Sequence, residues 1–111
     1  ITCVDDQIMS PTHSLDLAKF LSCLIEQNIQ DYGIYHFSGK GHCSWFEFAS
    51  EIVGKLNYKS SLIPVSEKEF PSKIKRPTFS VLNTDKAFQI YSHRSWKEAL
   101  EEYLNIKGHN K

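Results

Sequence analysis

The sequence predicts an α/β fold: βα units of a parallel sheet, joined to a small, irregular α+β lobe. Three observations carry this. Short β-type runs alternate with amphipathic helical runs through residues 1–57, the order expected of βαβ units. Beyond residue 58, Pro64, Pro71 and Pro77 interrupt the pattern and leave an irregular α+β cap over 58–111. The 111 residues, 41% hydrophobic, suffice for the core of a single domain and exclude a disordered or low-complexity chain.

Taken in order, Ile1-Thr2-Cys3-Val4 reads as the end of a strand that runs into the polar turn Asp5-Asp6-Gln7. Ser10-Pro11-Thr12 breaks the chain, and Ser14 is placed to cap a helix with Asp16 in its first turn. Leu17, Phe20, Leu21, Leu24 and Ile25 give that helix an apolar face at period 3.6, running to about Asn28. A short strand, Ile34-Tyr35-His36-Phe37, leads into the loop Ser38-Gly39-Lys40-Gly41-His42-Cys43. Ser44-Trp45-Phe46-Glu47 is a capping box, in which serine oxygen and glutamate carboxylate satisfy first-turn N–H groups reciprocally. Trp45, Phe48, Ala49, Ile52, Val53 and Leu56 continue it as an amphipathic helix whose aromatics read as core.

Leu62-Ile63-Pro64-Val65 reads as an edge strand, because proline cannot donate to a ladder. Residues 66–79 stay irregular, Ser80-Val81-Leu82-Asn83 forms a second short strand, and Asn83 or Thr84 caps a brief helix through Phe88. A second capping box, Ser95-Trp96-Lys97-Glu98, opens the last helix, with Trp96, Ala99, Leu100, Tyr103 and Leu104 on its apolar face. The tail from Gly108 frays.

Composition narrows the function. Thirteen basic and thirteen acidic side chains cancel, which argues against a general nucleic-acid binder. No apolar run approaches the roughly 18 residues of a membrane span, and no signal-peptide pattern opens the chain. Cys3, Cys23 and Cys43 are an odd set without a C-x-x-C pair, read as free thiols of a reducing cytosol. His13, His36, His42, His93 and His109 show no zinc-type spacing, so no metal site is assigned. Charge is uneven: residues 1–66 carry four Lys against seven Asp/Glu, and 67–111 carry nine Lys/Arg against six. The basic C-terminal part suits a small anionic ligand.

Four places could carry chemistry. Gly39-Lys40-Gly41 lies between a strand and a helix N-terminus, where amides and dipole favour an anion. The fuller dinucleotide fingerprint is missing, and a tight turn is the plainer reading. Lys73-Ile74-Lys75-Arg76-Pro77 puts three cations on a proline-stiffened loop. Its residues leave open a solvated loop or a guanidinium grip on phosphate. Asp5 and Asp6 could hold a divalent cation but read better as turn formers. Trp45, Phe48 and Trp96 read as core. No G-x-S-x-G elbow, H-E-x-x-H helix or P-loop occurs.

These segments resemble one family in order along nearly the whole chain. Val4-x-Asp6-Gln7, Pro11-Thr12 and Asp16-Leu17-Ala18 are similar to the V-x-D-Q…P-T…D-L-A signature of dTDP-4-dehydrorhamnose reductases. Gly33-Ile34-Tyr35-His36-Phe37-Ser38-Gly39 with Ser44-Trp45-Phe46-Glu47-Phe48-Ala49 resembles their G-x-Y-H-x-x-G…S-W-x-E-F-A stretch. Arg76-Pro77-x-x-Ser80-x-Leu82-Asn83 resembles their R-P-x-x-S-x-L-D/N, and Trp96-Lys97-Glu98-Ala99-Leu100 their closing W-x-x-A-L helix. Met9 departs from the family's usual glycine, which bears on the local loop shape.

The resemblance implies the C-terminal, substrate-binding part of an extended short-chain dehydrogenase/reductase. An N-terminal Rossmann domain, on the order of 150 residues or more, would bind NADPH or NADH and supply the catalytic Tyr-x-x-x-Lys pair. No catalytic residue is then expected in these residues, which alone would be inactive. The implied reaction is reduction of dTDP-4-dehydro-L-rhamnose to dTDP-L-rhamnose for surface polysaccharide, in the cytoplasm. Arg76 would hold the substrate diphosphate, and Gln7, Pro11 and Thr12 would lie near the sugar. Some members are associated with Mg2+, for which Asp5 and Asp6 are the adjacent acid pair. An alternative of the same fold is a non-catalytic regulatory subunit like the β subunit of methionine adenosyltransferase. A sheet cut at this point leaves a bare edge and an uncovered apolar face, through which a homodimer would form.

Overall fold

The computed structural model describes residues 1–69 and 74–108. Strand β1 (Thr2–Val4) enters a turn, and β2 (Ile8–Met9) precedes helix α1 (Ser14–Glu26). After a long connection come β3 (Cys43–Ser44), α2 (Trp45–Leu56) and β4 (Ile63–Val65). A 3-10 turn (Glu67–Glu69), a one-turn helix α3 (Asp85–Phe88) and α4 (Trp96–Ile106) complete it. This is a mixed α/β chain with a parallel strand pair. No helix among the described residues is long and apolar enough to cross a membrane.

Strand β1 pairs with β4 in parallel, Cys3 opposite Pro64 and Val4 opposite Val65. Pro64 therefore sits where the edge-strand reading put it. Asp5 N–H donates to Val65 O at 2.9 Å and Ile63 N–H to Ile1 O at 2.9 Å, so the ladder closes on either side of the proline. The pair joins the first part of the chain to the second. Strand β2 runs antiparallel to β3, Met9 opposite Cys43, and Ile8 also bridges Phe79 through bonds to Thr78 O and from Ser80 N–H. Met9 does not take a positive φ. It lies in an ordinary strand and packs against the core, so the departure from glycine does not strain the backbone.

That core is Cys43, Trp96, Leu100 and Leu104, with Met9, Phe48, Ile52 and Leu56 packed against it. A second cluster is aromatic: Phe20 stacks on Phe37 with ring centroids 4.8 Å apart, and Tyr35 and Tyr91 lean against Phe20. Burial pushes the Cys43 thiol up to about 11, the Glu47 carboxylate adding to the effect and Lys97 opposing it.

Several local expectations are corrected. Residues 34–37 are not a strand: their backbone joins no ladder among the described residues, and Ile34 is 79% exposed. A β-type run becomes a strand only when a neighbour supplies the hydrogen bonds. Residues 80–83 are not a strand either, pairing only at the Phe79 bridge. His13, rather than Ser14, caps α1, its Nδ1 accepting the Leu15 N–H at 3.1 Å. The helix stops at Glu26, and Asn28 turns left-handed at φ 50°. Of its apolar face Phe20 is buried, whereas Leu17, Leu21 and Ile25 are exposed. The box at Ser44 is complete, with Ser44 Oγ accepting Glu47 N–H and Glu47 Oε1 accepting Ser44 N–H. At Ser95 the structure has one half of it, the Glu98 N–H donated to Ser95 Oγ. Pro71, Lys73 and residues 109–111 lie outside the described residues.

Candidate substrate site

The largest candidate site is a cavity of about 580 Å³ between β1, α2 and the segment that returns after β4. Thr2, Cys3 and Val4 form one wall, Trp45, Phe48, Ala49 and Ile52 of α2 another, and Gln7, Glu67, Ile74 and Arg76 the rim. The wall is thus mostly apolar with few polar groups converging on it, the usual make-up of a small-molecule site.

Gln7 is buried and its amide joins no hydrogen bond among the described residues. It owes its place to the turn after β1, which the β1–β4 ladder anchors at Asp5. Arg76 is exposed, and none of the ion pairs of the described residues involves it. A guanidinium so placed keeps its paired donors for an outside anion. Asp6 fixes the opposite rim, both carboxylate oxygens accepting the Glu67 N–H at 3.0 and 3.1 Å. That carboxylate ties the turn after β1 to the start of the 3-10 turn, a contact far apart in sequence rather than one within its own turn. No group of three or more His, Cys, Asp or Glu suited to a metal occurs among the described residues.

Pro11 and Thr12 stand elsewhere. They line a smaller cavity of about 330 Å³ with His13, Phe48, Ile52, Trp96 and Tyr103. Phe48 and Ile52 border both spaces, so the two cavities share α2 as a partition. Thr12 Oγ1 donates to Ser10 O and accepts the Gly39 N–H, each at 3.1 Å. Its hydroxyl holds two loops together. Gly39 is needed there, since a Cβ would come within 2.3 Å of Pro11 O.

Two amides of the glycine loop are taken up within the fold. Gly39 N–H goes to Thr12 and Lys40 N–H to Arg94 O at 3.0 Å, while Lys40 O accepts the Trp96 N–H. With those amides taken, the loop does not fit the pyrophosphate of a nicotinamide dinucleotide. Behind it, Arg94 ties α1 to α4: Nε and Nη2 reach the Asp16 carboxylate at 3.0 and 2.9 Å, and Nη2 also meets Glu102. The hydrogen bond it donates to buried Asp16 is the main cause holding the guanidinium above its usual value.

Two features escaped the sequence reading. Trp45, read as core, is 47% exposed and faces the larger cavity. Periodicity could not single it out, because it belongs to the same stripe as Phe48 and Ile52. A Tyr-x-x-x-Lys spacing also occurs in this chain, at Tyr103 and Lys107. Lys107 Nζ lies 5.9 Å from the centroid of the Tyr103 ring, a cation–π contact at the end of α4. Tyr103 borders the smaller cavity, not the one shared by Gln7 and Arg76.

The family model described as the RmlD substrate binding domain matches residues 1–108. The chain belongs to this family. A substrate-binding-domain member, it is 39% identical over 106 residues to the spore coat polysaccharide biosynthesis protein SpsK of Bacillus subtilis, covering 95% of this chain and 36% of SpsK. The crystal structure of a dTDP-4-dehydrorhamnose reductase from Clostridium acetobutylicum superposes with TM-score 0.87 at 34% identity, over 97% of this chain and 39% of that one. The Bacillus anthracis dTDP-4-dehydrorhamnose reductase, solved in complex with NADP, gives 0.85 at 38% identity, over 96% and 38%. The chain therefore spans a little over a third of the length of the relatives it matches, and it has the fold of that part of them.

Proposed function

We propose that this chain is the sugar-nucleotide-binding part of a dTDP-4-dehydrorhamnose reductase, which reduces dTDP-4-dehydro-L-rhamnose to dTDP-L-rhamnose with NAD(P)H. The observation that carries the reading is the convergence of Gln7 and Arg76 on one large, mostly apolar cavity. The family match and the names of the relatives agree with it. Arg76 takes the diphosphate, its fork matching two phosphate oxygens in parallel N–H···O bonds. Gln7 offers a donor pair and an acceptor to the sugar. Pro11 and Thr12 serve the substrate through the loop they hold against Gly39. Proton and hydride transfer belong to residues outside this chain, whose own work is grip and orientation. The setting that goes with this reading is the cytoplasm, with residues 1–57 and 58–111 acting as one domain and the protein as a homodimer.

The test is Arg76→Ala in the full-length protein. Loss of a charge-assisted pair predicts a roughly tenfold or larger rise in Kd for dTDP-L-rhamnose, with NADPH affinity unchanged. Equal affinity for the sugar nucleotide in the variant would remove Arg76 from the site.

A further inference from the structure

We infer that Trp45 is the platform on which the pyrimidine of the nucleotide stacks, a specificity-determining contact separate from the diphosphate grip. The inference rests on the reading above, that the cavity holds a thymidine-diphosphate sugar. Trp45 is the first residue of α2 and follows directly on the capping serine, so the capping box fixes the backbone that carries its indole. Yet the side chain is 47% exposed, whereas the molecule's other tryptophan, Trp96, is 6% exposed in the core. An indole left half open costs hydrophobic burial that the fold could have taken. It borders the cavity that also takes in Gln7, whose amide joins no hydrogen bond among the described residues, and Arg76, which joins none of their ion pairs.

The chemistry divides accordingly. A diphosphate offers charge and oxygen acceptors, which suit Arg76 and not an indole. A pyrimidine offers a flat π face with polar edges, which suits an exposed aromatic ring backed by apolar side chains. Phe48, Ala49 and Ile52 supply that backing from the following turns of the same helix. Because stacking tolerates any base, Trp45 sets nucleotide against non-nucleotide ligands, and the choice among bases is left to polar groups on the rim.

The experiment uses the full-length protein and two probes, dTDP and inorganic pyrophosphate, titrated calorimetrically against wild type, Trp45→Leu, Trp45→Phe and Arg76→Ala. Leucine keeps an apolar side chain without the π face, and phenylalanine keeps the face. The expected result is a loss of about tenfold in dTDP affinity for Trp45→Leu, the weight of one aromatic–base stack. Trp45→Phe restores most of it, and pyrophosphate binding is unchanged in both. Arg76→Ala weakens both probes. Unchanged dTDP affinity in Trp45→Leu overturns the inference while the Arg76 result leaves the cavity reading standing. An equal loss for both probes, with a lowered melting temperature, overturns it in favour of a packing role. If neither probe binds the wild type, the cavity reading fails and the inference with it.

Discussion

Helices α2 and α4 are alike in sequence, each opened by a serine that caps its third N–H and each carrying an apolar stripe. In the fold they differ. Helix α4 buries Trp96, Ala99, Leu100 and Leu104, whereas α2 has no buried residue. Its stripe packs against the core from one side and borders both cavities, Trp45, Phe48, Ala49 and Ile52 the larger one and Phe48 and Ile52 the smaller, whereas the α4 stripe borders the smaller one alone. An apolar stripe states that a helix has a partner; it does not state whether that partner is protein or ligand. Helix α4 meets the core and the smaller cavity, and of the two helices α2 alone reaches the larger one.

The largest effects should fall on the α4 side. Leu100→Ala truncates a buried core side chain and should cost about 3 kcal/mol. Ile52→Ala, from a partly buried position, should cost about 1 kcal/mol. Chemical denaturation of the full-length protein, with hydrogen exchange to localise the loss, measures both. Equal costs would break the contrast between the helices. Gly39→Ala drives a Cβ against Pro11 O and should cost about 2 kcal/mol, loosening the Pro11–Thr12 loop as seen by exchange at the Gly39 amide. Ser44→Ala removes the complete capping box and should cost about 1 kcal/mol, read as faster exchange in the first turn of α2.

A smaller effect concerns pH. The Cys43 thiol ordinarily titrates at 9.0 and in the fold is raised to about 11. The folded chain therefore holds its proton more tightly than the unfolded one. Its contribution to stability is complete below pH 9 and is lost as pH rises through 11. Unfolding midpoints measured across that window should fall more steeply for wild type than for Cys43→Ala. Smallest of all, Tyr103→Phe should leave turnover of the full-length protein unchanged, because that ring borders the wrong cavity.

Much of the scaffold was legible before any coordinates. The stripe of α4, the box at Ser44 and the edge position of Pro64 follow from period and from the missing proline N–H. Strand β2 did not, since two residues carry no period. Residues 34–37 have strand composition but find no ladder partner among the described residues. The exposed Leu21 and Ile25 of α1 follow the same logic, a stripe without its covering surface. In the site, Gln7 and Arg76 were legible as motif residues. That they meet across one cavity, with Pro11 and Thr12 beyond α2, depends on crossings that no local pattern encodes. Trp45 was hidden by looking like its neighbours.

The most direct test of the central claim is oxidation of NADPH by the full-length protein supplied with dTDP-4-dehydro-L-rhamnose. Turnover is expected, inhibited competitively by free dTDP and impaired through KM by Arg76→Ala. Tight binding of the sugar nucleotide without turnover would contradict it, and would make the protein a non-catalytic member of the same fold.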